Sequence, residues 1–157
     1  MAMNTPQNNG SHTGPDTDTS PLRVVARYLD ALNDGRLEEA MALVAKDIVY
    51  TNVSLPTIHG RRRVAKLLSL FNHDWLDFGV VTHRIAENGT AVLTERHDAL
   101  TLGPLRFQFW VCGTFEVVDG QIVLWRDYFD YFNMVKASGR AIAGAVIPAL
   151  RPRFPDR

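Results

Sequence analysis

The sequence predicts a single-domain α+β protein, with helices in its first half followed by an antiparallel β-sheet in its second half. Two observations support this class. Apolar residues recur at helical spacing up to about residue 71, whereas alternating segments separated by Gly-containing turns fill residues 78–132. The chain has 157 residues, which is enough for one core and too few for two ordinary domains.

The two ends of the chain differ in composition from the segment between them. Residues 1–19 are almost entirely polar, so they cannot bury enough surface to offset their ordering entropy, and we expect a disordered tail. Residues 151–157 (RPRFPDR) form a second polar tail. The predicted catalytic domain therefore spans residues 20–150.

Charge and composition narrow the classes of partner. There are 17 Lys and Arg residues against 17 Asp and Glu residues, which argues against bulk attraction to nucleic acid. No apolar run reaches the roughly 20 residues that span a bilayer, so we expect no membrane span. With no visible secretory signal and one cysteine, Cys112, the expected location is the reducing cytoplasm.

The first helix is predicted to begin at Ser20-Pro21, because Ser is a favoured N-cap and Pro a favoured first helical residue. It should end at Asp34-Gly35. Its apolar stripe is formed by Leu22, Val25, Ala26, Leu29 and Leu32.

A second, short helix, a strand and a third helix are predicted next. The second helix is marked by Leu37, Ala40, Met41 and Val44. Residues 48–53 (IVYTNV) are predicted to form a strand, residues 54–60 (SLPTIHG) a loop, and residues 61–71 a third helix.

The second half of the chain predicts a four-stranded antiparallel meander. Asn88-Gly89 and Asp119-Gly120 are hairpin turns, and Gly103-Pro104 turns the chain between the two middle strands. Residues 133–148 then predict a C-terminal helix rich in small residues.

Polar side chains interrupt otherwise apolar faces on three of these strands. Because strand side chains alternate, Arg96 and Asp98 share a face, Asp127 is the only charge in the row of Trp125, Phe129 and Tyr131, and Tyr50 shares a face with Asn52. If these faces line one concave sheet, the five donors of Arg96 can serve both carboxylates. One buried carboxyl could then keep its proton while the other acts as a base.

A structural salt-bridge network, or strands whose two faces are exchanged, would give the same pattern. The residues alone leave these alternatives open. His97 lies between Arg96 and Asp98 and should point to the opposite face, and the five histidines show no metal-ligand spacing.

The strings RHD at 96–98 and WRDYFD at 125–130, with Tyr50 and Asn52 ahead of the SLP loop, resemble the limonene-1,2-epoxide hydrolase family. The resemblance covers roughly residues 20–150, and GPLRFQFWVCGTFEV looks especially like the mycobacterial members. It implies a cone-shaped NTF2-like fold, with N-terminal helices on a strongly curved mixed sheet. It also implies a homodimer that needs no metal or cofactor.

The family's function implies a role for each matching residue. Asp127 would accept a proton from a water molecule that Tyr50 and Asn52 also hold, and Asp98 would donate a proton to the oxygen of a small apolar epoxide. Arg96 would bridge the two acids. The alternatives are a ketosteroid-isomerase-like proton-transfer enzyme, against which Arg96 argues, and a non-catalytic ligand-binding module of the same fold.

Overall fold

The computed structural model describes residues 19–71 and 75–150. The predicted tails lie outside these residues, apart from Thr19. The α-helices are α1 (Pro21–Asn33), α2 (Leu37–Ala42), α3 (Arg61–Leu68) and α4 (Tyr131–Val146), with 3-10 turns at Ser69–Phe71 and Pro148–Leu150. The strands are β1 (Val44–Asn52), β2 (Ile58–His59), β3 (Asp77–Asn88), β4 (Ala91–Leu102), β5 (Leu105–Val118) and β6 (Gln121–Phe129).

These strands form one mixed sheet in the order β2-β1-β6-β5-β4-β3. The predicted antiparallel meander from β3 to β6 is confirmed, and β1 adds to it in parallel beside β6. The register shifts in three pairings, β1 with β6, β3 with β4 and β5 with β6. Such irregularities bend and twist strands, which helps a sheet to wrap around the side chains on one face.

Helix α1 begins as predicted, with the Ser20 hydroxyl accepting a hydrogen bond from the Arg23 backbone N–H at 3.3 Å. Asp34 is its C-cap, and the following Gly35 has a φ of 69°, a left-handed conformation that glycine adopts without strain. Its buried face is wider than the predicted stripe. The residues buried beyond that stripe are Val24, Tyr28 and Ala31.

The boundary between α2 and β1 differs from the prediction. The spacing of Ala40, Met41 and Val44 suited a longer helix, but α2 ends at Ala42 and Val44 is the first residue of β1. Val44 is buried in either arrangement, so its apolar character could not identify the boundary. The predicted loop at 54–60 also contains the two-residue strand β2, which pairs with Val49 and Tyr50.

Two later boundaries also move. Helix α3 ends at Leu68, with a 3-10 turn to Phe71. Helix α4 begins at Tyr131, two residues before the predicted start, because the Asp130 carboxylate caps it by accepting from the Asn133 N–H at 3.1 Å. Tyr131 therefore lies outside the row of Asp127 in which it was predicted, and its hydroxyl donates to the Val53 carbonyl at 2.6 Å.

The main core lies between the first three helices and one face of the sheet, which we call the inner face. Its fully buried members include Val25 and Tyr28 from α1, Val64 from α3, and Phe115 and Ile122 from the sheet. Helix α4 packs mainly against β5. Among the described residues, no helix has both the length and the apolar character needed to cross a membrane.

Candidate active site

Three neighbouring strands bring the predicted polar residues together on the inner face. In the middle of the sheet Thr94 of β4 lies opposite Gly113 of β5, and Gly113 lies opposite Asp127 of β6. Asn52 at the end of β1 is the parallel partner of Asp127. Arg96 follows two residues after Thr94 and therefore shares its face.

Arg96 connects the two acids through its guanidinium. Its Nε donates to Asp98 Oδ1 at 3.0 Å, and its Nη2 donates both to Asp98 Oδ2 at 3.3 Å and to Asp127 Oδ2 at 2.6 Å. Its Nη1 donates to the Thr94 hydroxyl at 3.2 Å. The predicted Asp-Arg-Asp bridge is thus present in the geometry.

The second oxygen of Asp127 has its own donor. The indole Nε1 of Trp125 donates to Asp127 Oδ1 at 2.8 Å, so both carboxylate oxygens accept a hydrogen bond. The Trp125 ring lies against Tyr50, with centroids 4.2 Å apart, and against Tyr28, at 5.4 Å. The Tyr28 hydroxyl is buried and has no hydrogen-bond partner among the described residues.

Tyr50 and Asn52 lie beside this cluster and bond to each other. The Tyr50 hydroxyl donates to Asn52 Oδ1 at 2.9 Å. Neither side chain hydrogen-bonds directly to Arg96 or to the two aspartates, although Asn52 is the strand partner of Asp127. All five predicted residues therefore lie in one region, as an ionic group and an adjacent polar pair.

Burial sets the electrostatics of the ionic group. Arg96, Asp98 and Asp127 are only 1%, 5% and 2% exposed. Such charges are costly to bury unless they pair, which explains the close bridge. Burial is the largest influence on Asp98 and raises its pKa to about 6, although Arg96 acts to lower that pKa and Asp127 to raise it.

The same environment shifts the pKa values of Arg96 and Tyr50. Burial acts to lower the pKa of Arg96, but the charges of Asp127 and Asp98 outweigh it and raise that pKa above its ordinary value. Burial, with help from the Asp127 charge, raises the pKa of Tyr50 well above 10. Arg96 is therefore a permanent cation and Tyr50 a neutral phenol at physiological pH, whereas Asp98 titrates near neutrality.

Three contributors to the site were not assigned these roles from the sequence. They are Thr94, which accepts from Arg96; Gly113, which lies against the guanidinium; and Trp125, which donates to Asp127. Strand alternation already placed Thr94 and Trp125 on the correct face. Alternation within one strand does not show that Gly113 of β5 lies between Thr94 and Asp127.

The outer face of the sheet carries different chemistry. His97 points there as predicted, and its Nδ1 lies 2.7 Å from Nε2 of His83. Burial, then the neighbouring His83 and Arg140, lower the pKa of His97. Among the described residues, no group of three or more His, Cys, Asp or Glu side chains is placed to hold a metal ion.

A cleft of about 380 Å³ opens between the end of α1, α3 and the start of β3. Its lining is mixed: the apolar residues are Leu32, Leu37, Leu68, Phe71, Leu76 and Phe78, and the polar ones are Asn33, Asp34 and Asp77. Asp98 and Asp127 are not part of this lining. Phe78 lies two residues before Val80, the strand partner of Asp98, so this residue of the cleft is on the same face of the sheet as Asp98.

Comparison with known proteins places this geometry in a family. Residues 19–140 match the family model described as the limonene-1,2-epoxide hydrolase catalytic domain. The chain is 46% identical over 143 residues to epoxide hydrolase EphG of Mycobacterium tuberculosis, covering 86% of this chain and 95% of that protein.

Solved structures give the same result. An LEH-like epoxide hydrolase of M. tuberculosis superposes with a TM-score of 0.83 at 45% identity, covering 90% of this chain and 99% of that one. An NTF2-like protein from Cytophaga hutchinsonii has a TM-score of 0.62 at 17% identity over 76% of this chain and 98% of its own, a likeness of fold alone. The chain therefore belongs to the limonene-1,2-epoxide hydrolase family and is an epoxide hydrolase with an NTF2-like fold.

Proposed function

We propose that the protein hydrolyses a small apolar epoxide to a vicinal diol in one step, with Asp98 as the acid and Asp127 as the base. The observation that supports this most is the Arg96 guanidinium, which is shared between two buried carboxylates. A single cation held between two acids in an apolar site favours a state in which one acid retains a proton.

Asp98 is the better candidate for the acid. Burial raises its pKa to about 6, so the protonated carboxyl predominates below that pH and a minor fraction of it remains at neutral pH. Its strand partner Val80 is two residues from Phe78 of the cleft, so an epoxide oxygen directed from the cleft along β3 would approach Asp98.

Asp127 is the better candidate for the base because it lies beside the polar pair. Asn52 is its strand partner, and Tyr50 bonds to Asn52. A water molecule between these residues would donate one proton to Asp127 and be oriented by the phenol and the amide. Trp125 and Arg96 hold the carboxylate in place during this transfer.

The bond changes balance within one step. The water oxygen forms a bond to an epoxide carbon while the C–O bond of the ring breaks. Asp127 takes a proton from the water, and Asp98 gives a proton to the ring oxygen. Each proton transfer contributes about 10²–10⁴-fold. The cycle closes when a proton passes from Asp127 back to Asp98, which the shared contact with Arg96 keeps close together.

The cleft lining supports an apolar substrate. Leu32, Phe71 and Phe78 present hydrocarbon surface inside the cleft, which Asn33, Asp34 and Asp77 also line. The cleft volume of about 380 Å³ lies within the range of small-molecule sites. We expect the hydrocarbon part of the epoxide to occupy this cleft, with its oxygen directed towards Asp98.

Turnover of a panel of terpene, fatty-acyl and sterol epoxides tests the activity. We expect Asp98→Asn and Asp127→Asn each to lose at least about 100-fold in kcat, since each removes one proton transfer. The matched control is Asp47→Asn, which makes the same change at an exposed position on β1 and should keep full activity. A wild type that converts none of these epoxides would contradict the proposed substrate class.

A single turnover in ¹⁸O-water tests the mechanism separately. Direct attack by water places the label in the diol on the first turnover. A covalent ester on an aspartate would instead deliver an unlabelled carboxylate oxygen first, and the one-step mechanism would then be wrong.

We also propose that the protein is a homodimer, as the family resemblance implies, with α4 in the interface. One face of α4 is apolar and exposed, with residues spaced alternately three and four apart: Phe132, Val135, Gly139, Ile142 and Val146. This spacing forms a seam that suits packing against a like helix. We call these five residues the α4 seam.

A further inference from the structure

Gly113 lies in the middle of β5, where a glycine is unfavourable unless something requires it. Glycine in a strand interior loses backbone entropy and has no side chain to pack. Gly113 does not have the positive φ of the turn glycines such as Gly89 and Gly120, so backbone conformation does not explain it. A close approach of other atoms is the remaining reason.

The ionic group provides that approach. A β-carbon added at residue 113 would lie 2.6 Å from the Thr94 hydroxyl and 3.0 Å from Asp127 Oδ1. It would lie closer still to Arg96 Nη1, at a distance that real β-carbons do not show. An arginine tip usually yields to such contact, but this one is buried and held by two carboxylates, so withdrawal would break those bonds.

Thr94 holds the edge of the guanidinium that neither carboxylate reaches. Arg96 Nε and Nη2 donate to the aspartates, and Nη1 donates to the Thr94 hydroxyl at 3.2 Å. The same hydroxyl makes a long contact of 3.5 Å to the Gly113 carbonyl, to which it can donate. The guanidinium is therefore fixed on each of its edges.

We propose that Gly113 and Thr94 are positioning residues for Arg96: the glycine leaves room for the guanidinium, and the threonine hydroxyl fixes its rotation. In this orientation Nη2 is shared between Asp98 and Asp127. Without it, the guanidinium can turn away from one carboxylate, and the two acids no longer share their cation. The catalytic part of this proposal rests on the proposed function.

Thr94→Val tests the hydroxyl with little change of shape. Because Arg96 acts to lower the pKa of Asp98, we expect the carboxyl carbon of Asp98, followed by ¹³C NMR, to titrate above its wild-type midpoint. We expect kcat to fall about tenfold, as for one lost bond to a charged group. Thr94→Ser, which keeps a hydroxyl, should restore both. Thr114→Val, on the same strand pair but on the opposite face, should match wild type.

Gly113→Ala tests the space. We expect a larger loss in kcat, about 100-fold, with the Asp98 titration displaced in the same direction, because the guanidinium itself must move. If Thr94→Val titrates and turns over like wild type, the Thr94 hydroxyl does not position Arg96. If folded Gly113→Ala does so, the space at residue 113 does not position it either. The NMR titration requires no turnover, so failure of the hydrolase proposal and failure of this one can be told apart.

Discussion

The pKa of Asp98 is set mainly by two opposing effects, burial and the charge of Arg96, and burial is the larger. Arg96 donates to both of its oxygens and acts to lower its pKa, yet that pKa stands near 6 instead of the ordinary 3.8. The difference corresponds to roughly 3 kcal/mol in favour of the protonated form. Because Arg96 must also serve Asp127, it cannot compensate fully for the water that Asp98 has lost.

This balance predicts the pH dependence of the reaction. If protonated Asp98 is the acid, kcat/KM should be lost as pH rises through about 6, approaching a tenfold fall for each further pH unit. The measurement is kcat/KM from pH 4.5 to 8.5 on one epoxide. A profile that instead rises with pH across this window would reverse the assignment of Asp98 as the acid.

The sequence predicted which charged residues form the site but not which residues hold them in position. Strand alternation placed Arg96 with Asp98 and Tyr50 with Asn52, and made Asp127 the only charge in its row. The family resemblance joined these residues into one site, and the structure brings all five together. The roles of Thr94 and Gly113 depend on which way a guanidinium turns across a neighbouring strand. Periodicity identifies a face but does not determine that rotation.

Helix α1 is attached to the edge of the sheet at both of its ends. Near its start the Leu22 N–H donates to the Glu87 carboxylate at 2.9 Å, and at its end Asn33 Oδ1 accepts from the Val80 N–H at 2.8 Å. β3 is an edge strand, so the Asn33 contact satisfies a backbone N–H that has no neighbouring strand, and the Glu87 carboxylate satisfies one of the free N–H groups at the start of α1. Val80 is the strand partner of Asp98, so this attachment also supports the site.

Asn33→Ala should therefore destabilise the protein by about 1–2 kcal/mol, because it leaves a partly buried N–H without an acceptor. Urea unfolding measures the loss, and hydrogen exchange at the Val80 amide should become faster. Asn33→Asp keeps an acceptor oxygen and should retain most of the stability. Equal losses in the two variants would mean that the hydrogen bond is not the cause.

The order and type of the long elements followed from the sequence, whereas several boundaries did not. Asp119-Gly120 forms its turn as predicted, whereas the first hairpin turns one residue later than predicted, at Gly89 and Thr90, because Asn88 still pairs with Ala91. In both turns a glycine takes a positive φ that few other residues suit. Val44 and Tyr131 were assigned to the wrong element. Each lies at a junction between a helix and a strand, where its side chain fits the apolar pattern of both. The parallel addition of β1 joins distant segments, which local patterns do not encode.

At the scale of the molecule, the α4 seam is apolar surface that the fold of one chain leaves exposed. Phe132 is 71% exposed and Ile142 63% exposed, and no charged residue belongs to the seam. A seam of this kind costs free energy in water unless it is covered. A second copy of the chain offers an identical seam, so two copies can cover each other symmetrically.

Ile142→Glu should therefore shift the protein from dimer to monomer, because it places two charges in a dry contact. Size-exclusion chromatography with light scattering measures the mass, and the wild-type Tm should rise with protein concentration. Leu70→Glu replaces an equally exposed apolar residue away from the seam and should remain dimeric. An Ile142→Glu variant that is still dimeric would place the interface elsewhere.

The parallel pairing of β1 with β6 also determines when the site can form during synthesis. Asn52 meets Asp127 only after the last strand has been made, 75 residues further along the chain. A nascent chain that has emerged from the ribosome only as far as β5 contains Arg96 and Asp98 but lacks Asp127. In such a chain β1 also lacks β6, its parallel partner. Pairings so distant slow folding, since much of the chain's freedom is lost before they form. The candidate active site is thus one of the last parts of the protein to assemble.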